Sequence, residues 1–275
     1  MAELVEFETF MQRHWDSLDS RTMEFSRFQL LLPHLQKNPE AAANAKFWSC
    51  GQGTACAVFF NGNLILGDID DKSCEFITSE IRAETIRKIS GPGRIMDQSI
   101  KYFEQSLTLF SEQIPLHVMM LDQEPADVTG AGGGRLAEDK DLNILTEWLY
   151  EFNEQAIAHQ PELPMTKCRK ICMRYIEAGN MAVWEQDNIP VSMASIVNTT
   201  PRYIAISLVY TPRKFRNKGY AAQTVRMLSQ RIVENGSMAC LYIDARNPVS
   251  RRCYEKIGFV VTGGHVETSN MNFES

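Results

Sequence analysis

The stretch Phe215–Leu228, FRNKGYAAQTVRML, holds the residues whose types and spacing best suit chemistry. Arg213, Lys214, Arg216 and Lys218 place four positive charges within six residues, in a chain whose net charge is −6. They precede Gly219, where a helix is predicted to run to Glu234 with Ala221, Val225, Leu228 and Ile232 along one face. A helix N-terminus leaves four backbone N–H groups unpaired and carries about half a positive charge. A strand that runs straight into such an end makes an anion site. Gly219 lets a phosphate approach the backbone, and Ala221 keeps the next turn unobstructed. The spacing is Arg-x-x-Gly-x-Ala, which is neither the P-loop pattern nor the dinucleotide fingerprint. On these residues alone, a solvated basic loop capping a helix stands beside an anion cradle as a reading.

The elements that must hold this stretch are legible around it. In the second half, a short strand is predicted near Arg135–Leu136, then helices over about 139–158 and 165–179. Strands follow at MAVWEQ, IPVSMASIVN and RYIAISLVY, the first two joined by a turn at Asp187–Asn188. After the basic loop and its helix come the strand MACLYID, a short helix from Pro248 to Ile257, the strand FVVTG and a last strand near 265–273. The first half reads as helices over about 3–17 and 24–36, a strand in NAKFWSCGQG, and a hairpin turning at Asn61–Gly62. A helix TSEIRAETIRKI with Thr78 or Ser79 as N-cap comes next, then a short strand, a helix over about 96–111 and a strand PLHVMMLD. The segment Gln123–Gly134, QEPADVTGAGGG, marks a boundary between domains 1–128 and 129–275. Its glycines read as a linker rather than a phosphate cradle, because no lysine and helix start follow in P-loop order.

Composition bounds the rest. A length of 275 residues suits two domains, at roughly 100–200 residues each. Hydrophobic residues at 44% and charged residues at 23% are ordinary for a globular chain. The acidic balance argues against a nucleic-acid partner. No apolar run approaches the ~20 residues of a membrane helix, so no membrane association is expected. The seven scattered cysteines form no disulfide pattern, and with no leader-like start the expected location is cytoplasmic. Cys168 and Cys172, one helical turn apart, are read as packing residues rather than metal ligands, and no metal is expected.

From about Tyr203 to Val261, the run VYTPRKFRNKGYAAQTVRMLSQ, then LYID, then NPVSRRCYEKIGF resembles the GNAT superfamily of acyl-CoA-dependent N-acetyltransferases. The resemblance implies a mixed α/β fold, a central twisted sheet flanked by helices. The parallel element order of the first half implies a second, degenerate GNAT-like domain there, lacking the cofactor loop and walling off the acceptor. For the site, the resemblance implies that Phe215, Arg216, Asn217, Lys218, Gly219, Tyr220 and Ala221 wrap the pyrophosphate of acetyl-CoA. It makes Leu208, Val209 and Tyr210 a bulged strand edge beside the pantetheine arm, with the Val209 N–H as oxyanion donor. Asn247 matches the family's asparagine beside pantetheine, although Asn247-Pro248 is also an ideal helix cap. Tyr254 matches the tyrosine that protonates the departing thiolate, set against a plain core tyrosine. Direct attack by a deprotonated amine is implied, with roughly 7–11 kcal/mol available from holding both reactants together.

The general base is the open position. Relatives carry a glutamate in the central strands, but residues 201–212 include no carboxylate. Glu185 is the first candidate, with Asp187, Asp244 and Glu154 behind it, each also readable as an exposed strand-end, turn or helix acid. Cys253 lacks a histidine or asparagine partner and reads as a buried thiol. The expected acceptor is a small-molecule primary amine. A peptide amine, or a non-catalytic acyl-CoA-binding module, are the rivals, and the chain is expected as a monomer or homodimer.

Overall fold

The computed structural model describes residues 2–20, 25–82, 85–104, 110–128, 130–156, 163–200 and 202–271. Residues 24, 83–84, 105–109, 157–158 and 272–273, which fall within expected elements, and Thr129 lie outside the described residues. The chain divides into two compact units. One is made of Met1–Val118, Asp244–Arg246 and Thr262–Ser275, the other of Met119–Ile243 and Asn247–Val261.

The elements of the first unit are β1 (Glu3–Val5), α1 (Phe7–Ser20), α2 (Ser26–Lys37), α3 (Pro39–Ala43), β2 (Lys46–Ser49), β3 (Cys56–Phe60), β4 (Asn63–Leu66), α4 (Asp71–Glu80), β5 (Lys88–Gly91) and α5 (Gly93–Glu104). β6 (Ile114–Leu121) follows. The strand order is β1-β2-β3-β4-β5-β12, where β12 (Val260–Ser269) is the last strand of the chain. Alternation along the strands divides the core in two. Trp48, Ala57 and Leu64 pack with α4 and α5, while Phe47, Val58 and Ile65 pack with α1 and α2. The Asn61–Gly62 hairpin forms as its sequence requires, with φ of 48° and 76°.

Four local expectations change here. Residues 3–5 pair with β2 instead of opening a helix, because Leu4 and Val5 gain partners in Trp48 and Phe47. The helix read over 78–89 starts earlier and ends earlier. Its N-cap is Asp70, whose carboxylate accepts the Ser73 N–H at 2.8 Å, and Thr78 and Ser79 sit in its last turns, bonded back to Glu75 and Phe76 carbonyls. Lys88–Gly91 is the short strand expected between the two helices, but it takes over Lys88 and Ile89 from the end of the expected helix, and it runs parallel to β4 and antiparallel to β12. Ile86 and Ile89, three apart, fit the helical period, and the sheet partners override it. Finally, FVVTG and the segment after it are one strand. Gly264 sits there because a Cβ would come within 3.0 Å of the Leu116 carbonyl oxygen, not because the chain turns.

The second unit contains β7 (Gly133–Leu136), α6 (Leu142–Ala156), α7 (Met165–Glu177), β8 (Met181–Gln186), β9 (Ile189–Thr199), β10 (Tyr203–Tyr210), α8 (Tyr220–Glu234), β11 (Met238–Asp244) and α9 (Pro248–Glu255). The strands run β6-β11-β10-β9-β8-β7. β7 through β10 are antiparallel to their neighbours, and β10 and β11 are parallel, joined across by α8. α8 and α9 cover one face, and α6 and α7 cover the other. Asp187 and Asn188, at φ of 52° and 61°, make the expected tight turn.

Candidate active site

Two features of β10 set the geometry. Its parallel pairing with β11 covers Tyr203, Ile204 and Ala205 and stops at Cys240. Beyond that point the register with β9 slips, since Ser207 lies opposite Ser195 and Tyr210 opposite Met193. Leu208 and Val209 therefore share a single partner position, which is a β-bulge. Leu208 takes φ +52°, a left-handed conformation that costs a non-glycine residue roughly 1–2 kcal/mol. The extra residue swaps the faces. Ile206 belongs to the α8 side, whereas Leu208 and Tyr210 belong to the α6–α7 side and Val209 returns to the α8 side. The bulge that the sequence resemblance implied at Leu208–Tyr210 is present, on a stretch that has no register partner in β11.

The chain then passes a short 3-10 turn, Arg213–Phe215, and reaches α8. Asn217 and Gly219 have φ of 63° and 82°, and Gly219 is the N-cap with no side-chain cap. The first helical bond runs from the Gln223 N–H to the Gly219 carbonyl at 3.1 Å. The N–H groups of Gly219, Tyr220, Ala221 and Ala222 thus remain the orphan donors of an uncapped helix end. Arg213, Lys214, Arg216, Asn217, Lys218 and Gly219 are exposed, Phe215 is half-buried, and Tyr220 is buried. Ala222 rather than Ala221 joins Val225, Leu228 and Ile232 in the core, so Ala221 stays beside the loop. Arg216 is not a free cation. Its Nε donates to the Thr211 carbonyl at 2.9 Å and its Nη2 to Gln155 Oε1 at 2.7 Å.

α9 begins at Asn247, whose Oδ1 accepts the Val249 and Ser250 N–H groups at 3.2 and 3.1 Å. The cap is real, and it leaves the exposed amide nitrogen of Asn247 available. Tyr254 lies in the α8–α9 core, its ring edge-on to Phe259 at 6.1 Å. Its hydroxyl bonds to none of the described residues, and burial, helped by Cys253, pushes its pKa well above the usual tyrosine range.

The carboxylates named from the sequence have other engagements. Glu185 accepts from Arg135 Nη2 at 2.6 Å, and Arg135 also makes a two-pronged contact with buried Asp141 at 2.6 and 2.9 Å. Arg135 and Glu185 line a cavity of about 370 Å³ at the β7–β8 edge with Gly132–Gly134, Asp187 and Asn188, and no β10 residue. Gly132 and Gly134 are packing requirements, since a Cβ would sit 2.1 Å from the Glu185 carbonyl oxygen at Gly132 and 2.4 Å from the Met227 sulfur at Gly134, whereas Gly133 faces open space. Asp244 is bound by Arg246, which holds its carboxyl below the usual range. Glu154 is exposed on α6. Cys168 and Cys172 are buried in the α6–α7 core, and burial pushes Cys172 up to about 12. Among the described residues, no cluster of His, Cys, Asp or Glu could hold a metal ion. No helix of the described residues is long and apolar enough to cross a membrane.

Asp141 carries a stability prediction. Burial opposes its charge, but the Arg135 hydrogen bonds, the Glu138 N–H and the Arg135 charge prevail and hold the carboxyl low. A depressed folded value adds stability above the unfolded value near ~3.9, and that stability is lost as pH falls through the folded value. Asp141→Asn should cost about 2 kcal/mol at pH 7, less than the ~3–5 kcal/mol of a fully buried pair, because Arg135 keeps Glu185. Urea denaturation at pH 7 and pH 3 should show the gap between wild type and variant closing in acid.

The pair that sequence reading missed is Tyr210 with Glu151. The Tyr210 hydroxyl donates to Glu151 Oε2 at 2.5 Å, from a buried ring tilted against Trp148. Burial and then this bond push Tyr210 above the usual tyrosine range. The partners are separated by 59 positions, so no local pattern joins them.

Known proteins resemble this chain in sequence and fold. Residues 190–267 match the family model described as FR47-like protein. Over 84 residues the chain is 29% identical to an acetyltransferase of Agrobacterium fabrum, a stretch that is 30% of this chain and spans 60% of that relative's length. A Drosophila protein of known structure covers 98% of this chain and 99% of its own, with a TM-score of 0.65 at 10% identity. An acetyltransferase of the GNAT family from Colwellia psychrerythraea covers the whole of both chains, with a TM-score of 0.58 at 10% identity. At such identities the two structures speak for the fold alone.

Proposed function

We propose that the chain is a member of the GNAT superfamily of N-acetyltransferases and that it moves the acetyl group of acetyl-CoA to a primary amine. The observation that carries this reading is the end of β10. Its pairing with β11 lapses where the bulge at Leu208–Val209 begins, and the same strand leads into an uncapped helix.

Each part has a task the geometry suits. The free N–H groups from Gly219 to Ala222, with the α8 dipole behind them, would hold the pyrophosphate. Arg213, Lys214 and Lys218 would add attraction of about 0.3–1 kcal/mol each, while Arg216 shapes the loop. The unpaired edge at Leu208, Val209 and Tyr210 would take the extended pantetheine arm in the manner of an added strand, with the Asn247 amide beside it. The Val209 N–H would polarise the thioester carbonyl. Tyr254 would hydrogen-bond the sulfur as it departs. The β10 face beside the bulge is filled by Trp148, Tyr210 and Leu208, which suits a compact small-molecule amine as acceptor. We assign the protein to the cytoplasm on its seven free thiols.

The first unit repeats the connection β4–α4–β5 in parallel, as β10–α8–β11 does in the second. Its helix end is closed by its own Asp70 and flanked by Asp68 and Asp71, which repel a phosphate. We read it as a GNAT-like domain without a cofactor site.

Calorimetric titration with acetyl-CoA, followed by an amine screen, tests the whole reading. The expected result is one site per chain and turnover with an amine. Two sites would end the claim for a closed α4 terminus. Tight binding without turnover on any amine would make the protein a binding module, and no binding would end the enzyme reading.

A further inference from the structure

We propose that Glu151, on α6, is the carboxylate that takes the proton from the ammonium form of the acceptor. This inference rests on the acetyl-transfer reading above. β10 offers no carboxylate of its own between residues 201 and 212, and the amine must lose a proton before it attacks. The bulge turns Tyr210 to the α6 side of the sheet, where its hydroxyl occupies Oε2 of Glu151. The other oxygen, Oε1, bonds to none of the described residues, and the side chain is half-buried. Glu154, one turn further along α6, is exposed by comparison.

The surroundings fix Glu151 to the cofactor loop. Gln155 donates to the Tyr210 hydroxyl at 3.3 Å and accepts from Arg216 at 2.7 Å. The Arg216 guanidinium lies 5.8 Å from the centre of the Tyr210 ring. One cluster therefore shapes the loop after β10 and holds Glu151 at the end of that strand. Tyr210 and Gln155 are positioning residues in it. Glu185 is chemically less suited. It is ion-paired with Arg135, and β9 separates its strand from β10, so taking a proton would undo a charge pair. Glu151 is paired with a neutral phenol and makes no ion pair among the described residues.

The proton balance is simple. The acceptor ammonium gives one proton to Glu151, and the neutral amine adds to the thioester carbonyl. The new C–N bond forms as the C–S bond breaks. The second nitrogen proton passes to the departing sulfur, and Glu151 releases its proton to water. The net products are the amide, the CoA thiol and one proton.

The test uses the full chain, acetyl-CoA and two nucleophiles. One is n-butylamine, an ammonium at pH 7.5 with a pKa near that of lysine, about 10.4. The other is hydroxylamine, neutral at that pH. Glu151→Gln keeps an acceptor for the Tyr210 hydroxyl, and calorimetry should give it wild-type affinity for acetyl-CoA. Thiol release to butylamine should fall about 100-fold, within the range of general-base removal, and release to hydroxylamine by less than about 3-fold. Equal loss with both nucleophiles would reduce Glu151 to a structural part, and no loss with either would remove it from the reaction. A selective loss in Glu185→Gln instead would hand the role to Glu185. If the wild type binds acetyl-CoA but accelerates neither these nucleophiles nor any amine of the screen, the acetyl-transfer reading fails, and this inference fails with it.

Discussion

Gly219→Val should weaken acetyl-CoA binding at least about 100-fold, which corresponds to about 2.8 kcal/mol. Two effects combine. Gly219 sits at φ +82°, where a side chain costs roughly 1–2 kcal/mol and a β-branched one more. The loop relieves that strain by rotating out of the left-handed region, and the N–H groups of α8 then cease to converge. The added methyl groups also stand where a phosphate must approach the backbone. Gly236, at φ +77° beyond the other end of α8, with open space where a Cβ would be, provides a matched control. Gly236→Val carries similar backbone strain and should lower the melting temperature similarly, by about 2–8 °C for a chain of this size. Its affinity for acetyl-CoA should match that of the wild type. Equal weakening in both variants would mean that affinity merely follows stability, and the anion cradle would lose its support.

The same residues show what was legible beforehand. Turns announce themselves through residues that accept unusual backbone angles. Asn61–Gly62, Asp187–Asn188 and Asn247–Pro248 lie where their sequences place them. The α8 face was readable because Val225, Leu228 and Ile232 repeat at helical spacing. Elements defined by a distant partner were not. β1 and β5 are short, and their neighbours in the sheet decide their state. That β12 pairs with Lys88–Gly91 depends on chain path, which composition does not encode. The bulge has no local signature either, because Leu208 is an ordinary strand residue in an unusual conformation. Only the resemblance to known sequences pointed to it. The Tyr210–Glu151 contact is of the same kind. Glu151 is one of several acids on an amphipathic helix until the fold sets a phenol against it.

Tyr254→Phe should lower kcat for acetyl transfer about 100-fold, at the lower end of the range for general acid–base groups, and leave the KM for acetyl-CoA within about 3-fold. The ring is buried and packed edge-on to Phe259, so phenylalanine preserves the α8–α9 core and removes one oxygen. Burial pushes the hydroxyl well above the usual tyrosine range, which keeps it protonated at any working pH. Such a group is a poor acid on its own, because a departing thiolate, with a pKa of about 8.5, holds a proton less tightly than tyrosinate does. In the proposed reaction it would work as a relay: as the acylated nitrogen shed its second proton toward the Tyr254 oxygen, the hydroxyl proton would move to the sulfur, and tyrosinate would not accumulate. The loss should therefore fall on kcat, since the hydroxyl gains its value only as charge develops on sulfur. A better leaving thiol should recover part of it. An acetyl thioester with a less basic thiol, compared across wild type and variant, would show the ratio shrinking. A constant ratio would mean that the hydroxyl orients the cofactor, and an unchanged kcat would return Tyr254 to the core.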